Sequence, residues 1–565
     1  MSHKRVLVLS IINLVLLVCL VYLIPVGWIP AGLQQDYFEI FGEPVYRAAP
    51  ESLPASMLES EETCPPINRN WRKEHQIEGI RIQESGLCRP DDPDEIAAFV
   101  KGTNNVSTST LMSTQLAPDA VVKENDIDND GDPDDIHIRL EVTELNGHSP
   151  DVDEFIPAYS IAPGIRPGFW VFTPKQRGMA TVNFESIQAN DMLRMPSPVI
   201  RVEQGDRLRV TLENTHYMPH TIHFHGVDHP FQDAQGEGND GVPKISEMMI
   251  MPGESRTYDM TPRHPGTMFY HCHVQPQVHI LMGLQGMFVV EENRPNNPVQ
   301  TFNVGAGHVR YPSAAVREKY SREYDLQYSE ADRELHELIQ HSSDPRTIAR
   351  ATNRGYNSTQ RVPEYFLLNG RSFPYTIRES LVLARPDEKI KLRVLNAGAE
   401  GVSLHTHGHK VTITHYDGVE QNPRARVTRD VVWLSAAQRL DLELNTVNDG
   451  LHSYGEGVWF LHDHREQAVT TDGMNPGGDI SMIVYEKFLG ENGIPVTAGD
   501  LSLFFTQEYY RRQVPVWSDM DPEGRFSDPA GQTGIPGRTI LFIIAAGLFL
   551  AVTVLLIRSL KKNET

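Results

Sequence analysis

The stretch PSPVIRVEQGDRLRVTLEN, residues 196–214, decides the fold of this chain. Apolar and polar residues alternate on both sides of its glycine, which is the pattern of two half-buried strands joined by a tight turn. Similar short runs begin near Ile136, among them IHIRLEV and GFWVF, and they resume later as PEYFLLNG, KIKLRVLN and RLDLEL. Short alternating strands between glycine and proline turns predict β-sandwiches, and here there are two such series.

Four pairs of histidines accompany these strands, each pair with one residue between its members. They occur in HTIHFHG, YHCHVQ, LHTHGH and FLHDHRE, and comprise His223, His225, His271, His273, His405, His407, His462 and His464. Residues i and i+2 of a strand point to the same side, so each pair presents two imidazoles to one site. Imidazole binds copper and zinc alike, so the four pairs predict a metal centre.

A cysteine inside the second pair favours copper over zinc. Cys272 lies between His271 and His273, His279 follows seven residues later, and His220 precedes the first pair by three residues. One thiolate with two imidazoles is the trigonal donor set of a blue, type 1 copper site, whose weak axial position is often methionine. We therefore predict a type 1 copper on His220, Cys272 and His279.

Together these motifs resemble those of the multicopper oxidase family, over roughly residues 135–490. The stretches PSPVIRVEQGDRLRVTLEN and NDGVPKISEMMIMPGESRTYDM are similar to the sequences that frame this family's first copper loop. The resemblance implies an all-β fold of cupredoxin-like Greek-key sandwiches. It also implies an oxidoreductase that takes electrons singly from an external donor and reduces O2 to water. By the same resemblance His223 and His405 bind a type 2 copper. The type 3 pair takes the remaining six histidines: His225, His271, His273, His407, His462 and His464.

The second half departs from the three-domain pattern of laccases. Asp463 stands where the last copper loop of laccases carries its cysteine, Gln467 where a type 1 histidine is expected, and Val402 where the first half has His220. The second half therefore cannot build a blue site. The chain instead resembles the two-domain class of the family, with the type 1 copper in the first domain and the trinuclear cluster between a first and a second domain. In two-domain relatives these domains belong to neighbouring subunits of a ring-shaped trimer, so we predict a homotrimer. Pairing of the chain's own two halves stays open.

The axial position beside the type 1 copper also follows from the resemblance. Leu284 lies five residues beyond His279, where laccases place the axial residue. A non-coordinating leucine would raise the copper potential. Met282 and Met287 are nearby alternatives, although both methionines are also typical core residues.

Reduction of O2 consumes protons, so acids near the cluster are chemically required. Asp240, in NDGVP, matches the acidic residue of the family's DG-x-P turn, and Glu466 lies two residues beyond His464, where related oxidases carry a proton-donating glutamate. We predict both as catalytic acids. The alternatives are an aspartate that only forms a turn and a solvated loop carboxylate.

Composition limits the function classes. A chain of 565 residues with 40% hydrophobic content allows two or three domains, and its formal net charge of -23 argues against nucleic acid as a partner. A type 1 copper needs only a donor of suitable potential nearby. Phenols and ferrous, cuprous or manganous ions therefore all remain possible donors. The MMIM stretch at residues 248–251 favours a strand with inward methionines over a cuprous-ion site.

Two uncharged apolar segments, residues 6–24 and 539–557, flank the body, and each is near the roughly 20 residues that span a bilayer. Lys4 and Arg5 precede the first, and Arg558 follows the second, so the positive-inside rule places both termini in the cytoplasm. A cleaved signal peptide is the alternative for the first segment, which lacks a clear cleavage site. We predict a membrane-anchored protein with an extracytoplasmic body, either periplasmic or at the cell surface.

The segment before the first sandwich contains two further patterns. Cys64 and Cys88 are left over for a disulfide, which an extracytoplasmic location permits. DIDNDGDPDDIH, residues 126–137, has aspartates at calcium-loop spacing but ends on His137 instead of glutamate. A calcium site and an acidic, disordered linker both stay open.

The predicted organisation has seven parts. They are an N-terminal transmembrane anchor (1–30), an extension with the possible calcium loop (31–134), a first cupredoxin domain (135–295), a linker with a helix (296–355), a second cupredoxin domain (356–490), a C-terminal extension (491–537) and a C-terminal transmembrane helix with a basic tail (538–565). Residues 313–345 are charged and leucine-spaced, which predicts a helix, and SDPR at 343–346 is predicted to end it.

Two other functions compete with the oxidase. A copper nitrite reductase also has a type 1 site in its first domain, but its other copper needs only three histidines, and this chain has eight in pairs. A copper-carrying or assembly protein would bind metal without turnover, whereas paired coppers suit dioxygen chemistry. The sequence favours a membrane-anchored multicopper oxidase, with these two functions as alternatives.

Overall fold

A computed structural model describes residues 2–24, 75–77, 80–82, 117, 119–129, 133–148, 155–156, 159–176, 194–294, 301–303, 307–310, 320–342, 344–490, 493–499, 501–511 and 536–561. The chain divides into two compact units. One comprises Met1–Met57 with Thr506–Thr565, and the other comprises Leu58–Phe505.

The elements are numbered along the chain. The first apolar segment forms helix α1 (Ser2–Leu23). Strands of the segment up to residue 303 are β1 (His75–Ile77), β2 (Ile80–Ile82), β3 (Val121–Glu124), β4 (Asp135–Leu145), β5 (Gly147–His148), β6 (Phe155–Ile156), β7 (Phe169–Pro174), β8 (Val199–Glu203), β9 (Arg207–Glu213), β10 (His223–His225), β11 (Ser255–Met260), β12 (Gly266–His271), β13 (Gln285–Glu291) and β14 (Phe302–Asn303), with helix α2 (Pro276–His279) before β13.

The elements continue in the second half. Its strands are β15 (Gly307–Arg310), β16 (Arg322–Ala331), β17 (Tyr365–Leu368), β18 (Val382–Ala384), β19 (Lys389–Asn396), β20 (Val402–Thr406), β21 (Val411–Tyr416), β22 (Val419–Glu420), β23 (Thr428–Arg429), β24 (Val431–Leu434), β25 (Arg439–Asn445), β26 (Val458–Asp463) and β27 (Ser481–Tyr485). Its helices are α3 (Arg333–Gln340), α4 (Pro345–Arg350), the π-helical turn Ala351–Gly355 and α5 (Thr376–Glu379), and the chain continues with α6 (Gln507–Tyr510) and α7 (Pro536–Lys561).

Two sheets face each other in the first sandwich. One has the order β10-β12-β13-β8-β14 and the other β11-β9-β4-β3, with β7 on β4. Alternate residues of these strands, such as Ile138, Leu140 and Phe288, meet in one buried cluster that also contains Cys272. The alternating sequence therefore forms the predicted sandwich, and the copper-loop cysteine lies in its core.

A second sandwich repeats this arrangement. One sheet runs β15-β16-β19-β25-β21-β22, with β17 on β16 and β23 on β21, and the other runs β18-β27-β26-β20-β24. Leu392, Leu404 and Leu442 belong to its separate core. The prediction of an all-β fold with two sandwiches is confirmed.

The helix predicted over residues 313–345 is wrong for residues 322–331, which form strand β16 and pair in parallel with β19. Tyr324, Leu326 and Tyr328 face the core of the second sandwich. The intervening polar residues are also buried, because Glu323 and Asp325 meet arginines from both sandwiches. Tyr324, Leu326 and Tyr328 do alternate with polar residues, but the charged, leucine-spaced residues on either side favour a helix, which explains the wrong prediction.

SDPR at residues 343–346 begins a helix instead of ending one. Asp344 caps α4 by accepting a hydrogen bond from the amide of Arg346, and Pro345 occupies the first helical turn. Both features are typical of a helix start. Helix α3 is capped in the same way by Asp332. Ile339 and Ile348, one from each helix, pack into the first sandwich's core.

A buried ionic network joins the two sandwiches. Arg201 of β8 lies 2.6 Å from Asp325, and Arg393 of β19 lies 2.6 Å from Glu323 and 3.2 Å from Asp441. All five side chains are almost completely buried. Charges of both signs therefore lie beside apolar contacts at this interface, and the buried carboxylates need the arginines as counterions.

Replacing Arg393 with methionine is expected to destabilise the body by about 3 kcal/mol, because the buried carboxylates of Glu323 and Asp441 would both lose this cation. Arg201 would still contact Glu323, and Lys391 would still contact Asp441, which limits the loss. Chemical unfolding of the copper-free protein measures this loss. The matched control is Arg346→Met, which removes an arginine from an exposed ion pair with Asp344 and is expected to be nearly neutral. Equal losses in the two variants would contradict the importance of the buried network.

The unit formed by the two ends of the chain contains α1 and α7. Both are long and apolar enough to cross a membrane, over Lys4–Leu23 and Leu541–Lys561. The helices contact each other, and the side chain of Asn13 donates a hydrogen bond to the hydroxyl of Thr553 at 3.1 Å. A polar pair of this kind stabilises helix association in an apolar environment.

Some sequence predictions fall outside the described residues. They include the Cys64–Cys88 disulfide and residues 130–132 of the calcium-like loop. The MMIM stretch is described, and it forms a loop instead of the predicted strand. Met249 is partly buried against the core, but Met248 and Met251 are exposed.

Candidate copper centres

The first quartet of histidines comprises His223, His225, His271 and His273 and lies where β10 pairs with β12. The strand register places His223 opposite His271, with ring centroids 5.5 Å apart. The Nε2 atoms of His225 and His271 are 2.9 Å apart. Two imidazole ligands of one ion, each about 2.0 Å from it, are about 3 Å apart, so this spacing fits a shared metal ion.

The second quartet, His405, His407, His462 and His464, repeats this geometry on β20 and β26. His405 lies opposite His462, with ring centroids 5.6 Å apart. The Nε2 atoms of His407 and His462 are 3.3 Å apart, which again fits two ligands of one ion. Each sandwich therefore carries an equivalent half-site.

Backbone carbonyls fix the orientation of the first histidine in each half-site. The Nδ1–H of His223 donates to the carbonyl of Asp240 at 2.6 Å, and that of His405 donates to the carbonyl of Asp430 at 2.9 Å. A carbonyl can only accept, so the proton is on Nδ1 and the lone pair is on Nε2. This is the usual way in which a metal-binding histidine is oriented.

A glycine makes the carbonyl of Asp240 available to His223. Gly241 has φ +77°, and a Cβ there would lie 2.0 Å from the carbonyl oxygen of Ile222, so only glycine fits. The carboxylate of Glu247 accepts hydrogen bonds from the Gly241 amide at 3.0 Å and from the Tyr258 hydroxyl at 2.7 Å. These contacts hold the DG turn against the copper loop.

The HCH motif of the first sandwich and the HDH motif of the second differ in the residue between their two histidines. Cys272 projects into the first core, whereas Asp463 is bound by its neighbours in the second. The Asp463 carboxylate accepts from Nε of Arg465 at 2.7 Å and from the Ser403 amide at 2.9 Å. This ion pair occupies the position of the cysteine, so the second sandwich offers no thiolate.

His220, Cys272 and His279 meet in the first core. Cys272 Sγ is 3.6 Å from His220 Nδ1 and 3.3 Å from His279 Nδ1, and all three side chains are fully buried. The donor atoms lie within 4.8 Å of one another. Burial raises the pKa of Cys272 to about 12, so its thiolate forms only with a bound cation. Two neutral imidazoles and one such thiol fit the donor set of type 1 copper.

The three candidates for the axial position are separated by the fold. Leu284 and Met282 lie in the same core cluster as Cys272, and the Leu284 carbonyl accepts a hydrogen bond from the Cys272 amide at 3.0 Å. Met287 belongs to another cluster, with Leu395 of the second sandwich. The side chain of Met287 therefore points away from the cysteine.

Burial lowers the pKa of several candidate ligands. Together with nearby histidines, it lowers the pKa of His225 to about 3 and that of His271 to about 4. Burial also lowers the pKa values of His407 and His462. Neutral imidazole is the form that binds a metal, so a lowered pKa favours metal binding by these four histidines.

The copper-free protein is expected to lose stability as the pH falls from about 6.5 towards 4. Burial lowers the pKa of His216 to about 3 and that of His336 to about 4. The unfolded chain takes up these protons near pH 6.5, so acid favours unfolding. Thermal unfolding between pH 7 and pH 4 measures the effect. An unfolding midpoint that is constant over this range would contradict it.

The two predicted acids occupy different environments. Asp240 Oδ1 lies 3.4 Å from His223 Nδ1 and 3.6 Å from His229 Nε2. Glu466 is 88% exposed, with Oε1 3.9 Å from His464 Nδ1. Both carboxylates therefore lie beside a quartet, one in each sandwich.

Sequence analysis missed three residues around the centres. His229 approaches Asp240, His216 contacts His220, and Trp170 packs its ring edge-to-face against His216 and His279 at 5.0 and 5.1 Å. His216 and His229 each lie four residues from a predicted ligand, which was a usable signal. Trp170 lies 50 residues from the copper loop, so no local pattern indicates it.

A separate acidic cluster lies in the calcium-like loop. Carboxylate oxygens of Asp126, Asp128 and Asp134 are within 4.8 Å of one another, and Asp134 also accepts the amides of Ile127 and Asp128. His137 belongs to β4, where its Nε2 hydrogen-bonds with the hydroxyl of Thr211 at 2.8 Å. The side chain of His137, the twelfth residue of the calcium-like loop, therefore does not point to the three aspartates.

The chain is similar in sequence to multicopper oxidases. A family model for multicopper oxidases matches residues 176–295. The iron transport multicopper oxidase FET3 of Gibberella zeae is 27% identical over 318 residues, which cover 52% of this chain and 44% of that relative. Copper resistance protein A of Escherichia coli is 26% identical over 278 residues, 44% of this chain and 41% of the relative. The matched part is thus less than half the length of these curated relatives.

Two solved structures are similar at low TM-scores. The blue copper oxidase of Nitrosomonas europaea has a TM-score of 0.44 and 24% identity, over 62% of this chain and 86% of that chain. The copper nitrite reductase of the same organism has a TM-score of 0.38 and 20% identity, over 63% and 99% of the two chains. The sequence matches identify residues 176–295, which include the first copper loops, as a multicopper oxidase domain.

Proposed function

We propose that the chain is an oxidase that takes electrons singly from an external donor at His220, Cys272 and His279 and reduces O2 to water at a cluster held by both quartets. The position of Cys272 supports this proposal. Its side chain belongs to the set His220, Cys272 and His279, called the blue set below, while its chain neighbours His271 and His273 belong to the first quartet. This linkage connects two centres by a few covalent bonds. Metal storage does not need such a connection, whereas electron transfer does.

Each metal has a defined set of residues in this proposal. When bound, the type 1 copper supplies one-electron chemistry, and the type 2 and type 3 coppers supply the reduction of dioxygen. His223 and His405, which are anchored alike by a carbonyl, hold the type 2 ion. The pairs with close Nε2 atoms, His225 with His271 and His407 with His462, hold the type 3 ions together with His273 and His464.

A complete cluster needs one first quartet and one second quartet. The arrangement favours quartets that come from two different chains. Among the described residues, no ring contact joins a histidine of the first quartet to a histidine of the second. His464 is 53% exposed, and Trp433 and Phe460 beside the second quartet are 55% and 45% exposed. Exposed aromatic residues around an open half-site are typical of a protein interface. We infer a closed ring, a homotrimer, in which one chain's first quartet meets its neighbour's second.

Protons reach the cluster from both sides in this arrangement. Asp240 is positioned by the DG turn beside His223, and Glu466 projects from the loop beside His464. Docking of a neighbouring subunit would bury Glu466 near the first quartet. Burial raises the pKa of a carboxyl group and suits it to donate a proton near neutral pH.

The cavity beside the blue set favours a phenolic donor over a metal ion. A cavity of about 690 Å³ is lined by Tyr217, Pro219, Val242, Lys244, Met249 and Arg346, among other residues, and none of its lining residues is a carboxylate. Pro219 is the chain neighbour of His220. Arg346 is paired with Asp344, which leaves Lys244 as the cation facing the cavity without a described ion pair. Such walls repel metal ions and accept aromatic or anionic molecules.

Lys244→Glu is expected to raise the KM for a hydroxybenzoate about three- to tenfold, the effect of a charge reversal worth about 1 kcal/mol. The kcat should change less, because the blue set is unaltered. Steady-state oxygen uptake measures both constants. Arg424→Glu, the same charge change at an exposed site outside the cavity, is the control. If the control changes the KM equally, Lys244 does not select the donor.

The membrane and calcium predictions remain proposals. Helices α1 and α7 would anchor the protein through two spans joined by the Asn13–Thr553 hydrogen bond, with the body outside the cytoplasm. Asp126, Asp128 and Asp134 could hold a calcium ion, although His137 does not complete the loop. Isothermal titration with Ca²⁺ tests the second proposal.

Both alternatives leave features of the structure without a role. A nitrite reductase has no use for His225, His273 and the second quartet in one chain, and a copper carrier has no use for a buried cysteine linked to a quartet. Copper content and oxygen uptake distinguish the three functions. The oxidase requires about four coppers per chain, a blue band and oxygen consumption with a phenol. Turnover of nitrite without oxygen consumption, or copper binding without any turnover, would support an alternative.

A further inference from the structure

A buried histidine outside the predicted ligand set contacts the blue site. His216 Nδ1 lies 2.9 Å from His220 Nε2, and both side chains are almost completely buried. The two rings have centroids 5.0 Å apart. His220 presents its other nitrogen, Nδ1, to Cys272 Sγ at 3.6 Å. His216 therefore lies directly behind one of the candidate ligands.

The backbone defines which nitrogen of His216 carries the proton. The amide of Met218 donates to His216 Nδ1 at 3.4 Å, and an amide can only donate. His216 Nδ1 is therefore the unprotonated nitrogen, and its proton is on Nε2, which has no hydrogen-bond partner among the described residues.

The tautomer of His220 follows from that of His216. Since His216 Nδ1 is an acceptor, His220 Nε2 must carry the proton and donate across the 2.9 Å contact. The lone pair of His220 is then on Nδ1, which faces Cys272. The chain of hydrogen bonds thus begins at a backbone amide and ends with a lone pair directed to the metal position.

Rigid packing holds His216 in this role. Its ring lies between Tyr217, at a centroid distance of 4.0 Å, and Trp170, at 5.0 Å. The Asn214 side chain accepts the His216 amide at 3.0 Å and donates to the carbonyls of Met218 and Ile250 at 2.8 and 2.9 Å. A side chain needed only to fill space would not require a polar ring with an unpaired Nε2 in the core.

We propose that His216 is a positioning residue of the blue site, which fixes the tautomer of His220 and increases the electron density on its Nδ1. A hydrogen-bond acceptor behind a histidine ligand makes that ligand more basic. A more basic ligand stabilises cupric over cuprous copper, so His216 lowers the reduction potential. This effect opposes that of a leucine at the axial position, and the proposal rests on the proposed function of His220.

The test compares the copper-loaded full chain with three variants. His216→Leu removes the acceptor and is expected to raise the type 1 potential, shift the blue band and weaken copper binding about 10- to 100-fold. His216→Gln keeps an acceptor oxygen and is expected to restore the potential in large part. His336→Leu is the matched control, since His336 is buried in the same sandwich but donates to the carbonyl of Gly168. It should leave the potential unchanged.

The outcomes distinguish a failure of the type 1 copper assignment from a failure of the role of His216 alone. A wild-type protein without a blue band overturns the type 1 assignment and, with it, the role of His216. A wild-type blue band with equal potentials in His216→Leu and His336→Leu overturns the role of His216 alone.

A measurement on the copper-free wild type needs no substitution. Proton–nitrogen spectra of the ¹⁵N-histidine-labelled protein are expected to show both His216 and His220 protonated on Nε2. A proton on His220 Nδ1 would overturn the proposal even if His216→Leu fails to fold.

Discussion

Cys272→Ser is expected to abolish the blue absorption band and to lower donor oxidation at least about 1,000-fold, which corresponds to about 4 kcal/mol of barrier. The hydroxyl of serine is a hard, protonated ligand and cannot replace the thiolate that copper prefers beside two imidazoles. The connection from the blue set to His271 and His273 would also lose its sulfur. Visible spectra and oxygen uptake with a phenol measure the two losses.

The copper bound by the two quartets should survive this substitution. The quartets use no atom of the Cys272 side chain, and His271 donates only to its backbone carbonyl, at 2.9 Å. Cys19→Ser in α1 is the matched control, because Cys19 is the other free cysteine among the described residues. Unaltered donor oxidation in Cys272→Ser, or an equal loss in Cys19→Ser, would refute the role of Cys272.

Trp433→Glu is expected to separate the ring into single chains and to lower the copper content from about four to about one per chain. Trp433 lies on β24, which pairs with the β20 strand that carries His405, and its large ring is exposed. A carboxylate at the centre of an interface would have to be buried without a cation. The blue band should persist, because the blue set lies in the first core.

Size-exclusion chromatography with light scattering and copper analysis measure both effects together. Val496→Glu is the control, since Val496 is similarly exposed but has no described contact with either quartet. A Trp433→Glu protein that keeps both its mass and its copper content would show that the cluster does not depend on this face.

The fold was largely predictable from local sequence. Apolar alternation in stretches such as RLRVTLEN and KIKLRVLN corresponds directly to β9 and β19, since one face of each strand meets a core. The HxH spacing likewise predicted that each pair shares a side of a strand. The structure brings His220, Cys272 and His279 together although 59 residues separate the first from the last, because β12 and the β10 loop are adjacent.

What sequence could not predict depends on non-local contacts. Strand β16 differs from the predicted helix because Arg201 and Arg393, which are distant in the chain, bury its polar residues. The role of His216 depends on the amide of Met218 and on the ring of Trp170. Which nitrogen of a histidine is free is determined by such partners, and spacing alone contains no information on them.

Reassembly of two inactive variants tests whether each copper cluster forms between neighbouring chains. One variant carries His225→Ala and lacks a complete first quartet, and the other carries His407→Ala and lacks a complete second quartet. If each cluster combines the first quartet of one chain with the second quartet of its neighbour, random mixed rings contain about one intact cluster in four, and oxygen uptake returns to about a quarter of the wild-type rate. If the mixture stays as inactive as the separate variants, although mixed rings have formed, the quartets do not join between chains.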